Sequence, residues 1–191
     1  MKINIRLVMC GTTLAALMLP AAAQINQRKE NQQDRIANGA ASGQLTAGET
    51  ANLERKESNL NKEEKLMRSE NNGKLTTADR KVLNQQQNHL SNQIYREKHD
   101  AAVQNTNPKS EVGKRAENQQ DRIAQGVKSG QLTAGEASRL EHKEAAINHE
   151  VRTERAANGG KLTAQERAQV NRQQNRVSSQ IYNKKHNGRS Q

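Results

Sequence analysis

Glycine, leucine and an acid recur in this chain at one fixed spacing: Gly43, Leu45 and Glu49; Gly73, Leu75 and Asp79; Gly130, Leu132 and Glu136; Gly160, Leu162 and Glu166. Each set lies in a closely related phrase, GQLTAGE at 43 and 130, GKLTTAD at 73 and GKLTAQE at 160. A glycine that permits a sharp turn, followed by an acid that can close around a hard cation, is a spacing suited to calcium. Calcium also needs oxygen donors earlier in the loop. Five residues before the glycines stand Asn38, Arg68, Gln125 and Arg155, and three before them stand Ala40, Glu70, Val127 and Ala157. Two loops thus begin with a cation, and none offers more than two carboxylates. The calcium candidates are Glu49, Glu70, Asp79, Glu136 and Glu166, and this donor set is too poor for a strong site.

The same letters make a turn between two helices without any ligand. Gly43, Gly73, Gly130 and Gly160 can take the positive φ that ends a helix. The following Thr46, Thr76, Thr133 and Thr163 can each cap the next helix, with Glu49, Asp79, Glu136 and Glu166 reaching back to the threonine amide. That is a capping box, and these twelve residues are expected to be turn and cap positions.

The Gly, Leu and acid spacing resembles the later half of an EF-hand loop, which implies helix-loop-helix pairs with weak or no calcium binding. LTAGE, LTTAD and LTAQE are similar to the LTxxQ motif of small periplasmic proteins of the Spy and CpxP family. The nearest stretch is Leu162-Thr163-Ala164-Gln165-Glu166, with an acid where the motif has glutamine. This second resemblance implies a helical surface that holds unfolded envelope proteins through basic and apolar patches.

The elements that carry these turns are repeated. At an offset of 87, ENQQDRIA at 30 recurs at 117, LExKE at 53 recurs at 140, and QIYxxKH at 93 recurs at 180; a weaker repeat at offset 30 sets Leu53 over Leu83. Apolar residues fall at helical intervals: Leu83, Leu90 and Ile94; Val170, Val177 and Ile181; Leu140, Ile147 and Val151. Four residues after the first member, the seam carries Glu57, Gln87, Glu144 or Gln174. The pattern predicts an all-α fold of two tandem three-helix units, helical hairpins with EF-hand-like or coiled-coil-like packing. Helices are expected over 27–40, 47–69 and 77–101, then 87 residues further on. The second is expected to bend near Asn59-Leu60-Asn61. The expected division is a signal peptide over 1–23, unit 1 over 24–102, a linker over 103–111, unit 2 over 112–187 and a loose tail over 188–191. With few large apolar side chains per unit, the bundles are expected to be marginal, stabilised by docking of the copies or by self-association.

Lys2 and Arg6 precede an apolar run from Leu7 to Leu19 that closes on Ala21-Ala22-Ala23, the layout of a secretory signal. The run is shorter than the roughly 20 residues a membrane helix needs. The expectation is a periplasmic or secreted protein of a bacterial envelope, with no transmembrane segment in the mature chain. Cys10 is the only cysteine, so removal of the signal leaves no thiol. The formal net charge of +11 favours anionic partners. With no Trp, no Phe and two Tyr, stacking platforms for single strands are scarce, and no specific nucleic-acid recognition is expected.

No nucleophile elbow, phosphate loop or dinucleotide fingerprint is present, and the carboxylates are expected on solvated faces beside Lys and Arg. His142 and His149 are seven apart, too far along a helix to share an ion; His99 and His186 are expected to close their helices against Tyr95 and Tyr182. The chain therefore reads as a non-enzyme without cofactor, binding anionic or unfolded envelope partners in a chaperone-like, stress or structural role. The alternative is a degenerate EF-hand-like module.

Overall fold

The computed structural model describes residues 21–105 and 109–189. These form six helices: α1 (Ala21–Ala41), α2 (Ala47–Glu70), α3 (Thr77–Lys98), α4 (Glu111–Lys128), α5 (Ala134–Ala157) and α6 (Ala164–Lys185). Among the described residues there is no strand, and no helix is long and apolar enough to cross a membrane. The chain is all-helical. Most of the expected signal sequence, residues 1–20, lies outside the described residues, as do Thr106, Asn107 and Pro108 of the expected linker and the last two positions of the expected tail.

Two sets of buried apolar side chains anchor the helices. Ile25, Ile36, Leu45, Leu53, Leu60, Leu75, Leu83, Leu90 and Ile94 form one, drawn from α1 to α3 and the turns between them. The other joins Ile123, Leu140, Ile147, Val151, Val170, Val177 and Ile181 of the later helices, and Leu132 of the turn between α4 and α5, with Ala37 of α1. The ENQQDRIA phrase supplies much of the polar packing. Gln32 donates to the Gln87 carbonyl at 2.7 Å and to Ser91 Oγ at 2.8 Å, and Gln87 donates in turn to the Ile25 carbonyl at 3.1 Å. Gln119 and Gln174 repeat this with Gln174 O, Ser178 and Val112 O. The NH2 groups of these buried side chains thus find acceptors, which offsets part of the cost of lost solvation, while Oε1 of Gln32, Gln87, Gln119 and Gln174 is buried without a hydrogen-bond partner among the described residues.

Several boundaries differ from expectation, each for a local reason. Helix α2 is continuous through Asn59, Leu60 and Asn61, where Leu60 is buried against the core despite the weak helix propensity of asparagine. Helix α3 stops at Lys98 rather than 101. Nδ1 of His99 lies 2.6 Å from the Tyr95 carbonyl, and the His99 amide turns to Arg96 O at 3.1 Å. The same arrangement ends α6 at Lys185, with His186 against the Tyr182 carbonyl. Helix α4 begins at Glu111, inside the expected linker, because Ser110 caps it by accepting from the Gly113 amide at 3.0 Å. Helix α1 already covers residues 21–26, ahead of the expected 27.

Candidate functional site

The repeated phrases are joints. Gly43 has φ of +72°, a region closed to most side chains. Behind it the Leu45 amide donates to the Gly39 carbonyl at 3.0 Å, and Leu45 is buried. A Cβ on Gly39 would meet Leu45 Cδ1 at 2.7 Å, so glycine inside α1 makes room for the leucine that covers the turn. The Thr46 amide donates to Glu49 Oε2 at 2.8 Å while Thr46 Oγ1 accepts from the Glu49 amide at 3.3 Å. Thr76 with Asp79, Thr133 with Glu136 and Thr163 with Glu166 make the same reciprocal pair. Gly73, Gly130 and Gly160 also have positive φ.

The calcium candidates are thus placed apart and put to other uses. Glu49, Asp79, Glu136 and Glu166 each hold a threonine amide, and Glu70 is exposed at the end of α2. Arg68 turns from its loop to Glu64, with Nη2 and Oε1 2.7 Å apart. Among the described residues, no three His, Cys, Asp or Glu side chains form a set that could hold a metal ion. The rings of Tyr95 and His99 stack with centroids 4.3 Å apart, and those of Tyr182 and His186 at 4.2 Å.

Sequence reading placed the carboxylates other than the seam residues Glu57 and Glu144 on solvated faces, and for Glu54, Glu64, Glu136 and Glu141 the structure corrects this. Glu54 and Glu57 on α2, and Glu141 and Glu144 on α5, are buried. They come from the LExKE phrase. One position of the phrase falls on the polar seam, and the other lies where α2 meets α5. Gln33 donates to Glu54 Oε2 at 3.1 Å, and Gln120 donates to both oxygens of Glu141 at 3.0 and 2.9 Å. Neither oxygen of Glu57 or Glu144 has a hydrogen-bond partner. Burial, which penalises the ionised form, pushes Glu54 up to about 8, and neighbouring Glu57 adds to the rise. Burial likewise raises Glu57 to about 7 and Glu144 to about 8. Glu141 rises well above the usual carboxylate range through burial, with Glu144 and, across the helix pair, Glu54 as like-charged neighbours.

Withdrawing these acids leaves the outer helix faces more basic than the composition implies. A cleft where α1 and α2 meet the start of α5 concentrates this excess in Lys29, Lys62, Lys65 and Arg139. Sequence reasoning missed it because its walls come from positions distant along the chain. Only the scattered basic charge hinted at such a site. No family model matches this chain, and no curated protein or solved structure matches it either.

Proposed function

We propose that the chain is an exported, non-enzymatic helical repeat protein of two tandem three-helix units, and that it binds anionic or unfolded envelope partners through its basic faces. The observation that carries the reading is the separation of charge by depth. Six glutamates are buried, and one of them, Glu136, joins Glu49, Asp79 and Glu166 in holding helix starts, while Lys and Arg remain on the outside of a chain with formal net charge +11. Leu66, Val82, Tyr95 and Tyr182 add exposed apolar surface that an unfolded segment can cover. Long-range attraction of this kind concentrates anionic partners and weakens with salt.

The test is an aggregation assay with a chemically denatured, acidic client. Substoichiometric protein suppresses light scattering at low salt, and the suppression fades as salt is added. No suppression at an equimolar ratio removes the reading.

A further inference from the structure

Asparagine followed by glycine is a dipeptide prone to rearrange on its own, because a glycine amide reaches the asparagine side-chain carbonyl with no Cβ in the way. The chain has four such pairs, at Asn38, Asn72, Asn158 and Asn187. Local structure separates them. Asn38-Gly39 lies inside α1, where the helix fixes the backbone and engages the glycine amide. The Gly73 amide donates to the Arg68 carbonyl at 2.7 Å, so the nitrogen that would attack Asn72 is committed. The side-chain NH2 of Asn158 is held by both oxygens of Glu166, at 2.8 and 3.0 Å. Asn187-Gly188 follows α6 and is exposed, with Gly188 at φ of +71°.

Both polar atoms of the Asn187 side chain are engaged in a way that favours the reaction. Oδ1 accepts from the Arg189 amide at 3.0 Å, and Nδ2 donates to Glu136 Oε1 at 2.7 Å. The opposite orientation would set two donors together at Arg189 and two acceptors together at Glu136, so the partners fix which atom is which. The bond to Arg189 arches the side chain over Gly188, the residue it spans. A donor on Oδ1 draws electrons from Cγ and stands where negative charge gathers when a nucleophile adds there. Glu136 is 1% exposed and holds the Thr133 amide at the start of α5. Burial opposes its charge, yet the bonds from Asn187 and Thr133, with Lys184 beside it, outweigh burial and hold its carboxyl below the usual range. Asn187 thus docks the end of the chain on an ionised acid.

We propose that Asn187 is a site of spontaneous deamidation, and that the change releases the end of the chain from the start of α5. The Gly188 amide gives its proton to solvent base, and its nitrogen adds to Asn187 Cγ. The bond from that nitrogen to Cγ forms, the bond from Cγ to Nδ2 breaks, and ammonia leaves with a proton from water, closing a succinimide ring. Water then opens the ring at either carbonyl to give aspartate or isoaspartate. In sum, water is consumed and ammonia released, with no oxidant or reductant. Either product carries a carboxylate in place of the Nδ2 donor. It meets the Glu136 carboxylate, and two like charges in contact, one of them out of water, repel. Lys184 and Arg189 lie 3.6 and 4.0 Å from Glu136 Oε1; they soften the repulsion without restoring the lost bond.

The other repeat shows the product state. Asp100 stands 87 residues before Asn187, and its Oδ1 accepts from the Ala102 amide at 2.8 Å, the same turn with an acid in it. Glu49 is the counterpart of Glu136, and among the described residues Asp100 makes no bond to it. Glu49 is also more open to solvent than Glu136. An acid at this position therefore keeps the turn and loses the dock.

The experiment incubates the full chain in mildly alkaline buffer and follows the four Asn-Gly peptides by mass spectrometry. The peptide with Asn187 is the first to gain the mass of an amide turned to acid, and it splits into two chromatographic forms, aspartate and isoaspartate. Its rate rises with pH, because the deprotonated Gly188 amide is the attacking species. Gly188→Ala slows it about tenfold, a barrier change of about 1.4 kcal/mol. Conversion of Asn38, Asn72 or Asn158 ahead of Asn187, or an unchanged rate in Gly188→Ala, overturns the site. Release is read by hydrogen exchange over residues 183–189, each protein referred to an unstructured peptide of its own sequence. In Asn187→Asp, exchange speeds up about tenfold, the scale of a lost hydrogen bond to a charged group. Adding Glu136→Gln supplies a donor for the new carboxylate, keeps the capping box and returns exchange to within about twofold of the parent. Deamidated protein isolated by ion exchange matches Asn187→Asp. Parent-like exchange in Asn187→Asp or in the deamidated protein, or no rescue by Glu136→Gln, overturns the release.

Discussion

Ser138 Oγ donates to the Ala51 carbonyl at 2.8 Å in the buried crossing of α2 and α5, and these two residues occupy equivalent positions of the repeated sequence, 87 apart. A position that meets its own counterpart marks a twofold-like contact, as in an isologous interface. The neighbouring geometry agrees with an antiparallel crossing, since a Cβ on Gly135 would meet Ser58 Oγ at 2.9 Å. Small residues at 51, 135 and 138 let the two backbones approach, and Glu54 and Glu141 face the same crossing.

Bulk at this point should separate the helices. Ser138→Leu is expected to destabilise the fold by about 1–3 kcal/mol through overpacking, whereas Ser138→Ala should cost only about 1 kcal/mol for the lost hydrogen bond. Urea unfolding monitored by circular dichroism measures both. Equal effects would show that the crossing is loosely packed.

The buried glutamates make stability fall as pH rises. A carboxyl raised in the folded chain binds its proton more tightly there than in the unfolded chain. The native state therefore holds more protons from the ordinary carboxylate value of about 4.3 up to about 8, and folding weakens across that window. Glu64 acts in the opposite sense, because Lys29 and Arg68 overcome the effect of burial and hold its carboxyl below the usual range; its contribution is lost below about pH 4.3. The melting temperature should peak near about pH 5 and be lower by several degrees or more at about pH 9. Replacing Glu54, Glu57, Glu141 and Glu144 together by glutamine should flatten the alkaline fall. A melting temperature that rises from about pH 5 to about pH 9 in the parent chain would contradict the assignment.

The joints can be tested one atom group at a time. Thr133→Ala removes a cap and should cost about 1 kcal/mol. Leu132→Ala removes a buried side chain and should cost about 2–5 kcal/mol. Gly130→Ala forces a side chain into φ of +70° and should cost about 1 kcal/mol. Thermal melts of the three variants, ranked with Leu132→Ala lowest, check the account of the phrase.

Calcium should find little here, because the acid that would close each loop already holds a threonine amide. Calorimetry with millimolar calcium is expected to give no binding heat, and the melting temperature should not move. A saturable heat with a rise in melting temperature would restore the calcium reading by linkage.

The helices, and the four helix starts at the repeated phrases, were legible because their determinants are local. The threonine and acid of each capping box are three residues apart, and glycine marks each preceding turn. Helix ends were harder to read, since the His99 and His186 rings decide them by competing for carbonyls. Glu54 and Glu141 looked like ordinary surface acids because their burial depends on a contact between helices 87 residues apart. Glu57 and Glu144 stood visibly on the seam, but whether a seam position is dry is decided by packing. The cleft beside Ala134 was invisible for the same reason, as its cations come from α1, α2 and α5 and meet only in the folded chain.

The most direct test of the central claim is isothermal titration of polyglutamate into the protein at low and at high salt. Binding that is clear at low salt and falls steeply with added salt, as electrostatic attachment to basic faces requires, is the predicted result. No binding at low salt, or binding that salt leaves unchanged, would contradict the account.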